Sequence, residues 1–206
     1  MSVPARSGSA LTAYVRLLVS LVDDRQPGYA RHANSVARLS RGVGFRLGLD
    51  VTELEHLRLA SLLHDVGLLR VPVSHTGSRW DLSADERRLW ETHPEHGARM
   101  TTALDLPAEV AAAIRGHHER WDGSGYPKGL SRASISLGGR ILGVCDVFDG
   151  ACGGCRGTGD VRLTEDEALG LLLDEESTRF DQLVVSALRE AVEDEREIGA
   201  LIDIYP

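Results

Sequence analysis

The sequence predicts an all-α domain, and three observations carry that prediction. Apolar residues recur with a helical period along most of the chain. Ser/Thr-x-x-Glu pairs mark helix starts. The Gly- and Pro-rich stretches are short and fall between the periodic runs. Pattern counting gives about eight to ten helices and no internal repeat. A chain of 206 residues that is 42% apolar suits one domain with a sizeable core.

In order, residues 1–10 (MSVPARSGSA) are small and polar and are expected to be a disordered tail. The helical domain is expected over 11–195, with a second tail over 196–206. LTAYVRLLVSLVDD carries Arg16, ends in Asp23-Asp24 and lacks a small-residue cleavage site, so it reads as a surface helix rather than a signal peptide. No run approaches the length of a spanning helix, and a cytoplasmic location is expected. In YARHANSVARLSRGVGFRL, Tyr29, Ala33, Val36, Ser40, Val43 and Leu47 recur at helical spacing, and His32 points with them toward the core. In VTELEHLRLASLLHD, Thr52 pairs with Glu55 as a cap; Leu54, Leu57, Ala60 and Leu63 form the stripe, and His64 shares the face of Leu57.

Ser83 with Glu86, Thr92 with Glu95 and Thr164 with Glu167 repeat the capping pattern. Pro107 opens PAEVAAAIRGHH, and residues 120–134 form a Gly/Pro/Ser loop. Residues 135–149 (ISLGGRILGVCDVFD) resume a helical period. A parallel strand competes for RILGVCDVF, but the length of the segment and the i, i+4 relation of Leu142 to Asp146 favour a helix. GACGGCRGTGD (150–160) reads as a loop, and helices near 165–173 and 180–195 complete the domain.

A net charge of −8 argues against binding nucleic acid or an anionic membrane, both of which need clustered Lys and Arg. It leaves room for a small phosphorylated ligand held by a few local cations or metals. Three cysteines make no disulfide framework, and the lone Cys152-x-x-Cys155 pair is read as structural rather than metal-binding or redox-active. Trp80, Trp90 and Trp121 are too scattered for a base-stacking platform.

Seven residues on or at the ends of expected helices carry metal-ligand chemistry: His32, His64, Asp65, His93, His117, His118 and Asp146. Each has a plain alternative. His32 fits a satisfied core histidine, His93 before Pro94 a helix start, and Asp146 a local cap or ion pair. Adjacent histidines at His117-His118 gain little as core packing, and the set as a whole points to metal. His56, on the polar side of its helix, and His75 and His96 fit solvent-facing or supporting roles. Glu119 is a candidate to orient a metal-bound histidine, and Trp121 is read as anchoring a loop ahead of stacking on a guanine.

The sequence has HD at His64-Asp65, HPEHG at His93 to Gly97, HHERWDGSGYPKG at His117 to Gly129 and RILGVCDVFD at Arg140 to Asp149. In this order and spacing the blocks closely resemble the HD-GYP family, a branch of the HD-domain metal-dependent phosphohydrolases, over about residues 14 to 190. The resemblance implies an HD-domain helical bundle with a metal centre in its core. It implies one ion held by His32, His64, Asp65 and Asp146, with Asp65 bridging to a second ion held by His93, His117 and His118. Two divalent ions per chain are expected, iron or manganese first, with zinc, nickel and magnesium as alternatives.

The same resemblance implies hydrolysis of cyclic di-GMP, or a related cyclic dinucleotide, to pGpG or GMP by a water activated between the ions, with Asp65 and His64 as catalytic residues. It places Gly125, Tyr126 and Pro127 at the mouth of the site, where the GYP loop also offers a surface for a protein partner; a homodimer is left open. HDVGL puts Leu68 where the family usually has lysine. Arg70 is the substitute cation, about 200° away around a helix. Gly28 stands where some members carry a glutamate for a third metal, which favours two ions. DGACGGCRGT (Asp149 to Thr158) replaces a family segment whose two basic residues fall on Cys155 and Thr158, leaving Arg156 as the nearby substrate-binding cation. Two alternatives stay open: a degenerate sensor or interaction module, and a phosphohydrolase for another nucleotide or phosphate ester.

Overall fold

The structure is a computed structural model that describes residues 8–72, 82–153, 162–173 and 178–204. Arg156, Cys155, Thr158, His75 and Trp80 lie outside the described residues. Among the described residues there are nine α-helices: α1 (Gly8–Arg25), α2 (Tyr29–Arg46), α3 (Val51–Leu63), α4 (Ala84–Trp90), α5 (His93–Ala103), α6 (Ala108–Gly116), α7 (Leu137–Ala151), α8 (Glu165–Leu173) and α9 (Gln182–Ile204). The fold is the expected all-α bundle. RILGVCDVF lies wholly within α7, so the strand alternative is excluded.

α2 is the central element and packs against α1, α3, α7 and α9. Its stripe buries Tyr29, His32, Ala33, Val36, Ser40 and Val43, as the helical period requires. α6 packs on α3, α5 and α7, and α8 closes the bundle against α7 and α9. Leu63, Ile114, Ile141, Leu142 and Leu188 are all fully enclosed in one continuous core. Each such side chain contributes about 1.5–3 kcal/mol on burial.

Helix ends depart from the sequence reading at four places. α3 is capped by Asp50, whose carboxylate accepts from the Glu53 N–H while Glu53 bonds back to the Asp50 N–H; Thr52 and Glu55 lie inside the helix, and Glu55 pairs with Arg58. Thr92 makes no cap to Glu95: its hydroxyl donates to the Leu89 carbonyl, and Glu95 pairs with Arg99 and Arg115. α1 begins at Gly8, inside the segment expected to be a disordered tail. α9 runs to Ile204, past residue 195. The good helix formers Ala10, Arg196, Glu197, Ala200 and Leu201 carry these helices beyond the expected limits. The Ser83–Glu86 and Thr164–Glu167 boxes form as expected. No helix among the described residues is long and apolar enough to cross a membrane.

Candidate metal centre

Five of the seven residues lie at helix ends that meet in the core, and His32 and Asp146 come from within α2 and α7. His64 is the C-cap of α3, and Asp65 starts the turn into a 3-10 helix at Val66–Arg70. His93 is the first residue of α5, and His117 is the C-cap of α6 with His118 directly after it. His32 sits in α2 and faces Asp146 in α7. All seven are buried. Gly67 lets the turn after Asp65 lie directly on α5: a Cβ there would fall 1.9 Å from the His93 carbonyl oxygen and 2.5 Å from the Gly97 nitrogen.

The residues form two adjoining groups, Asp65 with His93, His117 and His118, and His32 with His64 and Asp146; within each group the ligand atoms lie within 4.8 Å of one another. Asp65 spans both. Its Oδ1 is 3.1 Å from His93 Nε2 and 3.7 Å from His117 Nε2, while its Oδ2 is 3.4 Å from His64 Nε2. Asp146 Oδ1 is 3.0 Å from His32 Nε2 and 3.7 Å from His64 Nε2. The seven residues named from the sequence thus lie together, with Asp65 grouped with His93, His117 and His118 and reaching His64 through its other oxygen.

Three of the imidazoles are oriented by the same device. The last carbonyls of a helix lack intrahelical partners, and here histidines three residues on take them up. His64 Nδ1 bonds the Ser61 carbonyl at 2.8 Å, His93 Nδ1 the Trp90 carbonyl at 2.8 Å, and His117 Nδ1 the Ile114 carbonyl at 2.6 Å. A carbonyl oxygen only accepts, so each Nδ1 carries the proton and each Nε2 presents a lone pair inward.

Burial, aided by the field of His93, pushes His117 down to about 3, so its imidazole stays neutral. Burial alone would raise the Asp146 carboxyl; the hydrogen bond from His32 and the fields of His64, His32 and His117 outweigh it and hold Asp146 ionised, below the usual carboxylate range. His93 Nε2 and His117 Nε2 lie 3.4 Å apart. Two lone pairs facing at that separation repel, and a cation between them reverses the sign. Neutral imidazoles and ionised carboxylates are the donor set that divalent transition metals take, so the residues fit metal ions.

The loop after His118 closes one side of the centre. Glu119 is buried, and its two oxygens accept from the Lys128 N–H at 2.8 Å and the Leu130 N–H at 2.9 Å. It pins the loop and does not orient a ligand histidine, correcting the sequence reading. Gly125 folds back so closely that a Cβ would meet the Arg120 nitrogen at 2.4 Å. Tyr126 N–H then bonds the His118 carbonyl, and its ring lies 4.8 Å from the His118 ring. With Pro127, Arg88, Arg99 and His96, Tyr126 also lines an open groove of about 540 Å³.

Leu68 is buried with Val71, Leu82 and Trp90 in a separate apolar cluster against which Tyr126 packs. Arg70, at the end of the 3-10 turn, is exposed. Trp121 anchors its loop, its backbone N–H bonding the Arg179 carbonyl and its ring lying under Arg140.

Two residues were missed. The spacing of Tyr29 predicts a core position alone, yet its hydroxyl accepts from the Asp65 N–H at 3.3 Å and donates to the Leu62 carbonyl at 3.1 Å, clasping the turn that carries His64 and Asp65. Asp149 lies 2.6 Å from His32 Nδ1. Its only sequence signal is the i, i+3 spacing from Asp146, which puts both carboxylates on one face of a helix.

A family model described as HD domain matches residues 16–184. The chain is 32% identical over 178 residues to a 3'3'-cGAMP-specific phosphodiesterase of Vibrio cholerae, covering 84% of this chain and 33% of the relative. It is 32% identical over 174 residues to the cyclic di-GMP phosphodiesterase response regulator RpfG of Xanthomonas campestris, covering 83% of this chain and 45% of the relative. The chain thus spans less than half the length of these curated relatives. The structure of an HDG"Y"P protein from Bdellovibrio bacteriovorus superimposes with a TM-score of 0.67 at 22% identity, covering 87% of this chain and 60% of that one; this likeness is one of fold.

Proposed function

The chain belongs to the HD domain family, in its HD-GYP branch, and on that premise we propose that it is a metal-dependent phosphodiesterase that hydrolyses a cyclic dinucleotide. The observation that carries this reading is the convergence of seven buried His and Asp side chains into two adjoining groups with Asp65 between them. Two divalent ions held there would invert the local charge of an acidic protein, draw in the phosphodiester and lower the pKa of an attacking water.

The chain's own residues prepare this chemistry. His64, His93 and His117 point acceptor nitrogens inward, Asp146 adds an ionised carboxylate and Asp65 the oxygens that face both groups. Asp65 offers one oxygen to each group and is the residue whose loss uncouples them. Burial of all seven keeps bulk water from competing for their lone pairs. Tyr126, held by Gly125 and Pro127, forms the mouth over His118, and Arg70 and Arg156 are the cations assigned to the substrate's outer phosphate. Cyclic di-GMP, cleaved to pGpG or GMP in the cytoplasm with iron or manganese bound, is the specific substrate proposed, with 3'3'-cGAMP its first competitor because relatives carry both names.

One observation favours a second reading. Leu68, where the family usually has lysine, is buried among Val71, Leu82 and Trp90. A centre without that cation suits a module that keeps its metals and binds a ligand or partner through the GYP loop. The test is to purify the chain without oxygen or chelator, count its metals, and incubate it with cyclic di-GMP, 3'3'-cGAMP and cyclic di-AMP while following products by chromatography. About two ions per chain with a linear dinucleotide product supports the enzyme. Bound metal and saturable ligand binding with every substrate intact would replace it with the binding module.

A further inference from the structure

We propose that Asp149 is a positioning residue for the centre, fixing the His32 imidazole so that its Nε2 faces His64 and Asp146; this rests on the metal reading above. The argument starts on α7. Asp146 and Asp149 are three residues apart and so lie on one face, about one turn from each other. α2 packs against that face and presents His32 between them. The ring meets a carboxylate at each nitrogen: Asp146 Oδ1 at 3.0 Å from Nε2 and Asp149 Oδ2 at 2.6 Å from Nδ1.

His32 thereby differs from His64, His93 and His117, whose Nδ1 atoms all bond backbone carbonyls. His32 lies in the first turn of α2, where the unpaired backbone groups are N–H donors and not carbonyls, so its outer nitrogen needs a side-chain acceptor, and Asp149 supplies one. A carboxylate on the outer nitrogen keeps a proton at Nδ1 and sets the ring plane, so that a metal would replace the proton Nε2 shares with Asp146 here, and it makes the inner nitrogen more basic. Among the described residues, the His32 group therefore carries two carboxylates of its own, Asp146 facing inward and Asp149 behind, whereas the carboxylate grouped with His93, His117 and His118 is the shared Asp65. The two halves of the centre should hold ions with different strength, and Asp149 sets that difference.

The test uses the full chain and zinc, which leaves the protein diamagnetic. Zinc is titrated against a competing chelator into wild type, Asp149→Ala and Asp149→Asn, with His117→Ala as a control for the other half. Asp149→Ala should weaken one of two binding steps about 10–100-fold and leave the other unchanged. Asp149→Asn keeps an acceptor oxygen without its charge, so it should fold if the alanine variant does not, and should fall between. In the zinc-loaded wild type, proton NMR should show a strongly downfield His32 Nδ1–H signal that is lost in Asp149→Ala; a purely architectural role would lower the unfolding temperature without moving either readout.

Unchanged zinc affinity in both Asp149 variants with the Nδ1–H signal retained would overturn the assignment. So would unchanged affinity with a raised KM, which would make Asp149 a substrate contact. If no cyclic dinucleotide is hydrolysed but these titrations behave as stated, only the substrate assignment fails and the role of Asp149 stands.

Discussion

Gly67 lies against His93 so closely that a methyl group on it would fall 1.9 Å from the His93 carbonyl oxygen. The contact is between backbones, so no side-chain rotation relieves it. It sets how near α5 comes to Asp65, and with it the 3.1 Å between His93 Nε2 and Asp65 Oδ1.

Gly67→Ala should therefore push α5 away from Asp65. Overpacking a well-filled site costs about 1–3 kcal/mol, and a backbone clash belongs at or above the upper end. Thermal unfolding should show a lowered midpoint. Elemental analysis should show loss of the ion in the His93 group ahead of the His32 group, because only the former moves. An unchanged midpoint with full metal content would show that the bundle absorbs the methyl group without displacing α5.

Asp65→Asn tests the link between the two groups. Asparagine matches aspartate in shape but turns one oxygen into an NH₂ that cannot ligate. Either orientation of the amide removes the contact to His64 or the contact to His93. The loss in metal retention should exceed the about 10–100-fold typical of an outer hydrogen-bond partner, and hydrolysis should fall with it. Chelator competition beside a product assay reads both; two ions and full turnover in the variant would remove Asp65 from the mechanism.

The candidate ligands were legible in the sequence because six of the seven occur in blocks of fixed order and His32 falls on the buried stripe of its helix, and the seven named lie together. Helices were legible from period and length. What escaped was choice among equivalents. Asp50 and Thr52 are both cap formers, and the turn at Gly48 and Leu49 decides that the helix starts after Asp50. Glu119 beside two histidines looks like a ligand's partner, yet the backbone folding at Gly125 brings the Lys128 and Leu130 N–H groups to it. Tyr29 and Asp149 reach their partners across 36 and 117 residues, distances over which a local pattern says nothing.

Glu119→Gln should loosen the GYP loop. Both carboxylate oxygens accept backbone N–H groups, and an amide necessarily turns a donor toward one of them. A buried backbone N–H without an acceptor costs about 1–3 kcal/mol. Hydrogen exchange at the Lys128 and Leu130 amides should accelerate, at one more than the other, while exchange in α2 and α3 stays as in wild type. Equal protection in both proteins would mean that other contacts hold the loop.

The metal-free protein should lose stability on acidification, and the sign follows from His117. Its folded pKa is about 3, against 6.5 for the free group. Between those values the unfolded chain binds a proton at residue 117 that the folded chain does not, so stability rises with pH across the window. This contribution is fully present above about 6.5 and is lost as pH falls toward 3. Asp146, also depressed, adds a loss in the same direction below its ordinary value of 3.8. Unfolding temperatures of chelator-treated protein should thus decline steadily from pH 7 to pH 4.5. Bound zinc should raise the midpoint at pH 7 and lose that effect at low pH, because protons compete for the same nitrogen lone pairs. A midpoint that stays flat across this range in the metal-free protein would mean that His117 accepts a proton without leaving its place between His93 and Asp65.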